Sequence, residues 1–220
     1  MKWINTKVEF TWDSKEQKYV ETSTQGYEYS GPILECGGGG DSFGSGELVT
    51  ISGSLEGIPH VSMSVGDTVL SANILNLPDS DDASEWLLWE YSGSDFTSSQ
   101  VTLATSSVES VTTHSRAPDA SGVYQLQCEN GRDDDILMTS AHPVLVNSSS
   151  VHSAGTASYW YFEYAEDITT GMTLLSSSLE EVKINSITSW TASNAQSQSY
   201  FRFDIEPYDV YFVEGILVHN

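Results

Sequence analysis

The chain closes on Tyr208-Asp209-Val210-Tyr211-Phe212-Val213-Glu214-Gly215-Ile216-Leu217-Val218-His219-Asn220. A run rich in Val, Tyr and Phe reads as a strand, a glycine interrupts it, three aliphatic residues follow, and His-Asn ends it. The same β pattern extends back through the chain. Segments 47–52, 61–65, 68–75, 86–91, 100–113, 122–128, 135–139, 144–146, 159–164, 181–190 and 199–218 are rich in Val, Ile, Thr, Tyr and Trp, with Ser, Gly, Asp and Asn turns between them. Helical periodicity is scarce, and 78–85 and 164–168 are expected to form short turns at most. Many short strands in succession predict an all-β fold of barrel or sandwich type. No repeat of about 20–50 residues appears, which sets aside propellers and solenoids.

Upstream lies a different piece. Residues 5–12 and 17–29 read as two strands around a polar turn at Asp13 to Gln17, with Val8, Phe10 and Trp12 alternating against Lys7, Glu9 and Thr11. A hairpin this small is marginal alone and needs a partner to dock on. After Gly31-Pro32 comes Gly37-Gly38-Gly39-Gly40, the clearest linker in the chain. The expected organisation is a β-rich leader at 1–35, a glycine-rich linker at 36–41 and one domain at 42–220.

Eight basic residues against 31 acidic ones give a formal charge of −23 over 220 residues. A surface that negative repels phosphates, so no nucleic-acid partner is expected. Solubility, or salty surroundings, explains the acidity. The clusters Asp133-Asp134-Asp135 and Asp79 to Asp82 lack the spacing of a calcium loop. Cys36 and Cys128 make no disulfide framework, and Cys128 is expected as a buried reduced thiol in a strand. No CxxC or Cys/His cluster suggests zinc, so neither metal nor cofactor is expected. The amino terminus has no apolar signal region and no stretch approaches a membrane span. A protein made and kept in a host cytoplasm, or packaged from it, is expected.

Three constellations carry chemistry. The first is the terminal His219-Asn220 behind its Gly-Ile-Leu-Val run. The second is Thr139-Ser140-Ala141-His142-Pro143, following the strand Asp135-Ile136-Leu137-Met138. The third begins at Ser42-Phe43-Gly44-Ser45-Gly46, continues into Glu47-Leu48-Val49-Thr50-Ile51, and reaches a Val65-Gly66-Asp67-Thr68-Val69-Leu70 turn. A later Gly171-Met172-Thr173-Leu174-Leu175 looks like a second copy of that turn, with Met172 in place of Asp. His60, His114 and His152 have no partner at metal-ligand spacing and read as turn or loop residues.

In this order the blocks resemble those of the Hint (hedgehog/intein) family over roughly residues 42–220, too short a span for an inserted endonuclease domain. The resemblance implies an all-β horseshoe in which the two ends of the domain meet at one site. It implies that Ser42 attacks the carbonyl of Asp41 in an N-to-O acyl shift, with the chain's own leader as substrate. His142 would protonate the departing amide nitrogen, and Thr139 would help hold that amide in a strained geometry. An ordinary peptide bond is planar and resonance-stabilised, so stored strain and a placed proton donor are what its cleavage needs. At the other end Asn220 would attack its own backbone carbonyl with help from His219, since an amide nitrogen is a poor nucleophile without adjacent acid–base assistance.

The sequence departs from the family pattern in several places. No residue follows Asn220, so complete splicing is not expected and the remaining chemistry is amino-terminal. Serine replaces the commoner cysteine, and a neutral alcohol depends more heavily on an activating base. Asp209 stands where a histidine usually assists, and Arg202 where an aspartate often helps the nucleophile. Cys36 is the rival nucleophile, placed poorly behind a tetraglycine tether. The leader, with its Tyr27-Glu28-Tyr29-Ser30-Gly31-Pro32 phrase, resembles the opening of small structural proteins of tailed bacteriophages. That resemblance implies phage structural proteins as partners. Two expectations therefore stand side by side: a self-cleaving domain, or a catalytically degenerate Hint fold serving as a virion structural or interaction module.

Overall fold

A computed structural model of the chain describes residues 2–13, 18–29, 43–44, 47–51, 57–78, 80, 83–114, 122–129, 136–148, 159–190 and 200–220. The chain divides into two compact units, Met1–Gly38 and Gly39–Asn220. The first holds β1 (Lys2–Asp13) and β2 (Lys18–Tyr29), an antiparallel pair whose register shifts at Asn5/Lys7 and Glu9/Phe10.

The second unit opens with β3 (Phe43–Gly44), β4 (Leu48–Thr50) and β5 (Gly57–Pro59), then a 3-10 turn at His60–Ser62. There follow β6 (Thr68–Ile74), the one-turn helix α1 (Ala83–Trp86), β7 (Glu90–Ser92), α2 (Phe96–Ser99), β8 (Val101–His114) and β9 (Val123–Cys128). Next come β10 (Ile136–Thr139), β11 (Pro143–Ser148), β12 (Tyr159–Tyr164), β13 (Thr173–Leu175) and β14 (Glu181–Trp190). The chain ends in β15 (Tyr200–Glu206), β16 (Val210–Val213) and β17 (Ile216–His219). The architecture is all-β, as predicted.

These strands join one sheet running β5-β4-β16-β6-β8-β15-β3-β10-β9-β14-β13-β11-β12-β7. β17 pairs with both β16 and β11, which lie far apart in that order, so the sheet must curl round to meet itself. The sequence dictates this seam. Every residue of β11, β16 and β17 is buried, so all three are core strands with apolar side chains on both faces. The turn between β16 and β17 is Glu214-Gly215, both at positive φ, which is the two-residue hairpin geometry that matches strand twist. Glu214 also fastens β4, accepting a hydrogen bond from Leu48 N–H on Oε1 while its own N–H donates to the Leu48 carbonyl.

Two glycine turns feed strands at separate places. Gly66 (φ 90°) precedes β6 and Gly171 (φ 101°) precedes β13, and each occupies the left-handed region that a side chain rarely adopts. The Asp67 carboxylate accepts the Ser64 N–H at 2.8 Å, closing the first turn. Met172 makes no such bond; its side chain is buried in the core.

Some expected strands dissolve on inspection. Segment 61–65 is no strand: His60–Ser62 forms a 3-10 turn and Val61 and Val65 are exposed. Segment 86–91 splits, with Trp86 ending α1 and only Glu90–Ser92 extended. The strand-rich stretch 199–218 holds β15, β16 and most of β17, with the cis Glu206-Pro207 bond and the Glu214-Gly215 turn between them. His114 ends β8 rather than lying in a polar loop, and Cys128 is half-buried rather than fully buried. His152 lies outside the described residues. Among the described residues no helix is long and apolar enough to cross a membrane.

The seam sets the first expectation. Phe212 is fully buried in the cluster that β16 and β17 share with Trp160, Phe162 and Trp86. Phe212→Ala should lower the unfolding free energy by about 3–5 kcal/mol, read as a drop in urea midpoint at unchanged slope.

Candidate functional site

The site grows out of two strand pairings. In the first, β3 is held between β10 and β15, with Phe43 opposite Met138 on one side and Phe201 on the other. This places Phe43, the residue bonded to Ser42, beside the strand that carries Thr139. In the second, Val144 of β11 pairs antiparallel with Val218 of β17. Continuing that register by two residues brings His142 level with Asn220.

Thr139 is the last residue of β10 and is fully buried. A tight turn follows: His142 N–H donates to the Thr139 carbonyl at 3.1 Å, while the Ser140 and His142 carbonyls accept from Glu166 and Ala165 at 3.0 and 2.9 Å. The His142 ring is 1% exposed, and among the described residues neither of its nitrogens has a hydrogen-bond partner. Packing sets its orientation: the Phe43 ring lies 4.0 Å away, centroid to centroid, tilted by 59°. Burial holds this imidazole neutral, well below the ordinary histidine range, and the charges of His60, His219 and Arg202 push the same way.

The carboxyl end is tied more closely. His219 Nδ1 lies 2.9 Å from the backbone oxygen of Asn220, an acceptor only, so that nitrogen carries the proton. Trp86 stacks on the His219 ring at 4.6 Å and 27°, and Phe162 meets it edge-on at 5.4 Å. Asn220 N–H donates to the Asp209 carbonyl at 2.8 Å. With the side-chain amide oriented to satisfy both its groups, Nδ2 also donates to the Asp209 carbonyl at 2.8 Å and Oδ1 accepts from Ile205 N–H at 3.2 Å. The Asp209 loop is itself pinned, because Ser106 Oγ accepts from Tyr208 N–H at 3.3 Å and Ser71 Oγ donates to the Val210 carbonyl at 2.6 Å.

Of the residues picked out from sequence, Thr139 ends β10, His142 directly precedes β11, Asp209 lies in the loop between β15 and β16, and His219 ends β17 with Asn220 directly after it. Asp209 contributes its backbone carbonyl to Asn220. Ser42 and Cys36 lie outside the described residues, as does Asp41.

His60 was read as a turn residue, and it does open the 3-10 turn His60–Ser62, but its side chain lies inside the fold. It is 0% exposed, stacked against Phe203 at 4.9 Å and 10° and against Phe43 at 5.1 Å and 24°. Its Nδ1 donates to the Glu47 carbonyl at 2.7 Å, since a carbonyl can only accept. Burial pushes its pKa down to about 4, against that hydrogen bond, which favours the charged form. The signal in the sequence was weak: a histidine after Ile58-Pro59 looks like any turn residue until β3 is known to lie beside it. Trp86 was missed for a similar reason, having been read as the start of a strand. Among the described residues no group of three or more His, Cys, Asp or Glu side chains could hold a metal.

The fold is that of inteins. A solution structure of a bacterial intein-like domain from Clostridium thermocellum superposes with a TM-score of 0.52 at 16% identity, covering 81% of this chain and 98% of that one. A DnaB intein from Synechocystis sp. PCC 6803 gives 0.52 at 13% identity, covering 81% and 97%. The gp41-1 intein gives 0.50 at 13% identity, covering 82% and 98%. No protein-family model and no curated protein matches the sequence. At such identities the likeness is one of Hint-type fold.

The buried imidazoles make stability pH-dependent. His60 titrates near 6.5 when unfolded and about 4 when folded, so below pH 6.5 the unfolded chain binds more protons. Stability should be fully present above pH 6.5 and fall as pH drops toward 4, by roughly 3 kcal/mol for this group. Chemical denaturation from pH 7 to 4 should show that fall, and His60→Phe should flatten it.

Proposed function

We propose that residues 42–220 form an intein-like self-processing domain that cleaves the Asp41-Ser42 bond by an N-to-O acyl shift. The observation that carries this is His142, buried and neutral at the end of the Thr139-x-x-His142 turn and packed on the residue bonded to Ser42. In the reaction the Ser42 hydroxyl oxygen bonds to the Asp41 carbonyl carbon and the carbon–nitrogen bond breaks. The nitrogen leaves as an amine, taking its proton from an imidazole N–H of His142, and the proton released by the Ser42 hydroxyl restores that ring. A neutral imidazole in a dry pocket can donate to the nitrogen as it becomes basic, and holds no charge against the bond beforehand. Water then hydrolyses the ester and frees residues 1–41.

The carboxyl end is built for the matching step wherever a peptide bond follows Asn220. His219 Nδ1–H donates to the Asn220 backbone oxygen and so polarises the carbonyl that would be attacked. The Asp209 carbonyl accepts from Nδ2, drawing a proton away from the nitrogen that must attack.

A second reading, a degenerate Hint fold kept as a virion structural or interaction module, finds support in the same clamp. An asparagine bonded through both amide groups to backbone also serves as a lock on the last strand.

Intact mass followed over time decides between them. A fragment ending at Asp41 should appear, be absent in Ser42→Ala, and form about 10²- to 10⁴-fold more slowly in His142→Ala. A fragment ending at Glu35 moves the nucleophile to Cys36, and a single unchanged mass near 24.0 kDa favours the structural module. With a short peptide appended to Asn220, its release should be slowed by at least about tenfold in His219→Ala. Release at an unchanged rate would remove His219 from the chemistry.

A further inference from the structure

The ladder between β16 and β17 runs one step past the last residue of β17. Val210 lies opposite His219, and the Asn220 N–H then donates to the Asp209 carbonyl at 2.8 Å, in antiparallel register. A peptide joined to Asn220 and kept in that register runs back along Tyr208 and Pro207. Its first residue falls opposite Tyr208 and its second opposite Pro207, which is exposed and offers the next carbonyl acceptor in the alternation. Tyr208 turns its own backbone groups the other way: its N–H and carbonyl lie 3.3 and 3.2 Å from Ser106 Oγ. That suits the pattern, because the pair holding Tyr208 is one that exchanges no ladder bonds. Side chains alternate along the hairpin. Val210, Phe212 and Leu217 belong to the cluster around Trp86 and Phe162, and His219 stacks on Trp86, while Tyr211, Val213, Ile216 and Val218 belong to the other cluster. The first residue after Asn220 stands two on from His219 and so presents its side chain to the Trp86 side. A cleft of about 170 Å³ opens on that side, lined by Ala72, Ile74 and Leu77 from β6 and the turn after it, and by Pro207, Tyr208 and Val210. About 150 Å³ is enough to take up benzene, whereas small-molecule sites run to about 300–1,000 Å³, so the cleft suits one side chain.

We propose that this cleft is a binding site for a peptide joined to Asn220, which docks by extending β17 and seats the uncharged side chain of its first residue there. The inference deepens the reading of the carboxyl end as the place of a cleavage step, and rests on it. Charge sets the preference. The lining holds the Asp209 carboxylate and, among the described residues, no cation, in a chain of net charge −23. An acidic side chain placed there loses hydration and meets only like charge, whereas an aliphatic one covers Ile74, Leu77 and Val210. Seating also serves the chemistry. The His219 Nδ1–H holds the Asn220 backbone oxygen from one side, and a docked first residue holds the following bond from the other.

The test extends the full chain beyond Asn220 by leucine, glycine or glutamate followed by Ser-Gly-Ser, and reads amide hydrogen exchange of the added residues by NMR beside intact mass. Each is also measured as Asn220→Ala, which keeps the backbone N–H bonded to Asp209 and cannot release the peptide. With leucine first, the amide of the second added residue should exchange at least about tenfold more slowly than in the same free peptide, with the first and third at the free rate. Glutamate first should bring the second amide to within about twofold of the free peptide, with glycine between the two. Asn73→Lys, a change at an exposed lining position, should raise protection behind glutamate by about two- to fivefold and leave leucine unchanged. Three results overturn the proposal: no protection behind leucine, protection on the first or third amide instead of the second, or equal protection whatever residue comes first. Release of the peptide without protection leaves the self-processing reading standing and removes only the docking site. Protection without release from the Asn220 chain does the reverse, keeping the docking site and overturning the carboxyl-end step.

Discussion

The shared use of β17 is the constraint on which the rest depends. A strand has two edges, and those of β17 are taken by β16 and β11, strands that sit at opposite parts of the sheet. Only a curled sheet can satisfy both edges. The hairpin with β16 is local and cheap in loop entropy, whereas the β11 pairing joins residues more than seventy positions apart. What stabilises that long-range closure is burial: Val144, Leu145, Val146, Leu217 and Val218 are each 0% exposed. The pairing that closes the sheet is thus the one that delivers His142 and His219-Asn220 to the same place.

Electrostatics follow from that burial. A chain of net charge −23 should, by Coulomb attraction, favour protonated histidines. At His60 and His142 the opposite holds, because desolvation is the largest influence on each. Charges on the wet surface are screened within a Debye length of about 8 Å, while loss of hydration acts in full on a ring that no water reaches. The neighbours that do reach His142 are themselves basic, His60, His219 and Arg202. The acidic surface and the site are therefore nearly independent. Composition speaks for solubility and partners, and the imidazoles answer to packing.

Much of this was legible in the sequence, and the parts that were not share a cause. Strands with one clear pattern, such as Tyr159–Tyr164 and Glu181–Trp190, were read with the right ends. The Thr139-x-x-His142 and His219-Asn220 pairs stood out by residue type and order, and the pairing of β11 with β17 brings the two segments together. What failed were judgements that need a third dimension. The glycine at 215 was read as a break, but a Glu-Gly pair lacks the usual Asn-Gly signal, so the hairpin that folds β17 back on β16 was not. Trp86 and His60 look like local features, and their contacts, with His219 and with Phe43, come from residues far along the chain. Asp209 was chosen for its carboxylate, yet its carbonyl is what holds Asn220. Sequence names a residue by its side chain and is silent on the backbone atom it lends.

The two halves of the site differ in how they are fixed, and the difference suits the chemistry proposed for them. At the carboxyl end the reacting groups are joined by hydrogen bonds from the start: His219 to the backbone oxygen, Asn220 to Asp209 and Ile205. Asparagine attack on its own backbone is strictly intramolecular, so the pieces can be preassembled. At the amino end His142 is set by aromatic packing on Phe43, while His60 is stacked between Phe43 and Phe203 and also bonded to the Glu47 carbonyl. A carboxylate there would raise the imidazole's affinity for a proton and commit it to one state. Aromatic packing orients the His142 ring while leaving it neutral and both its nitrogens without a partner among the described residues, which suits the proton donor proposed for the acyl shift.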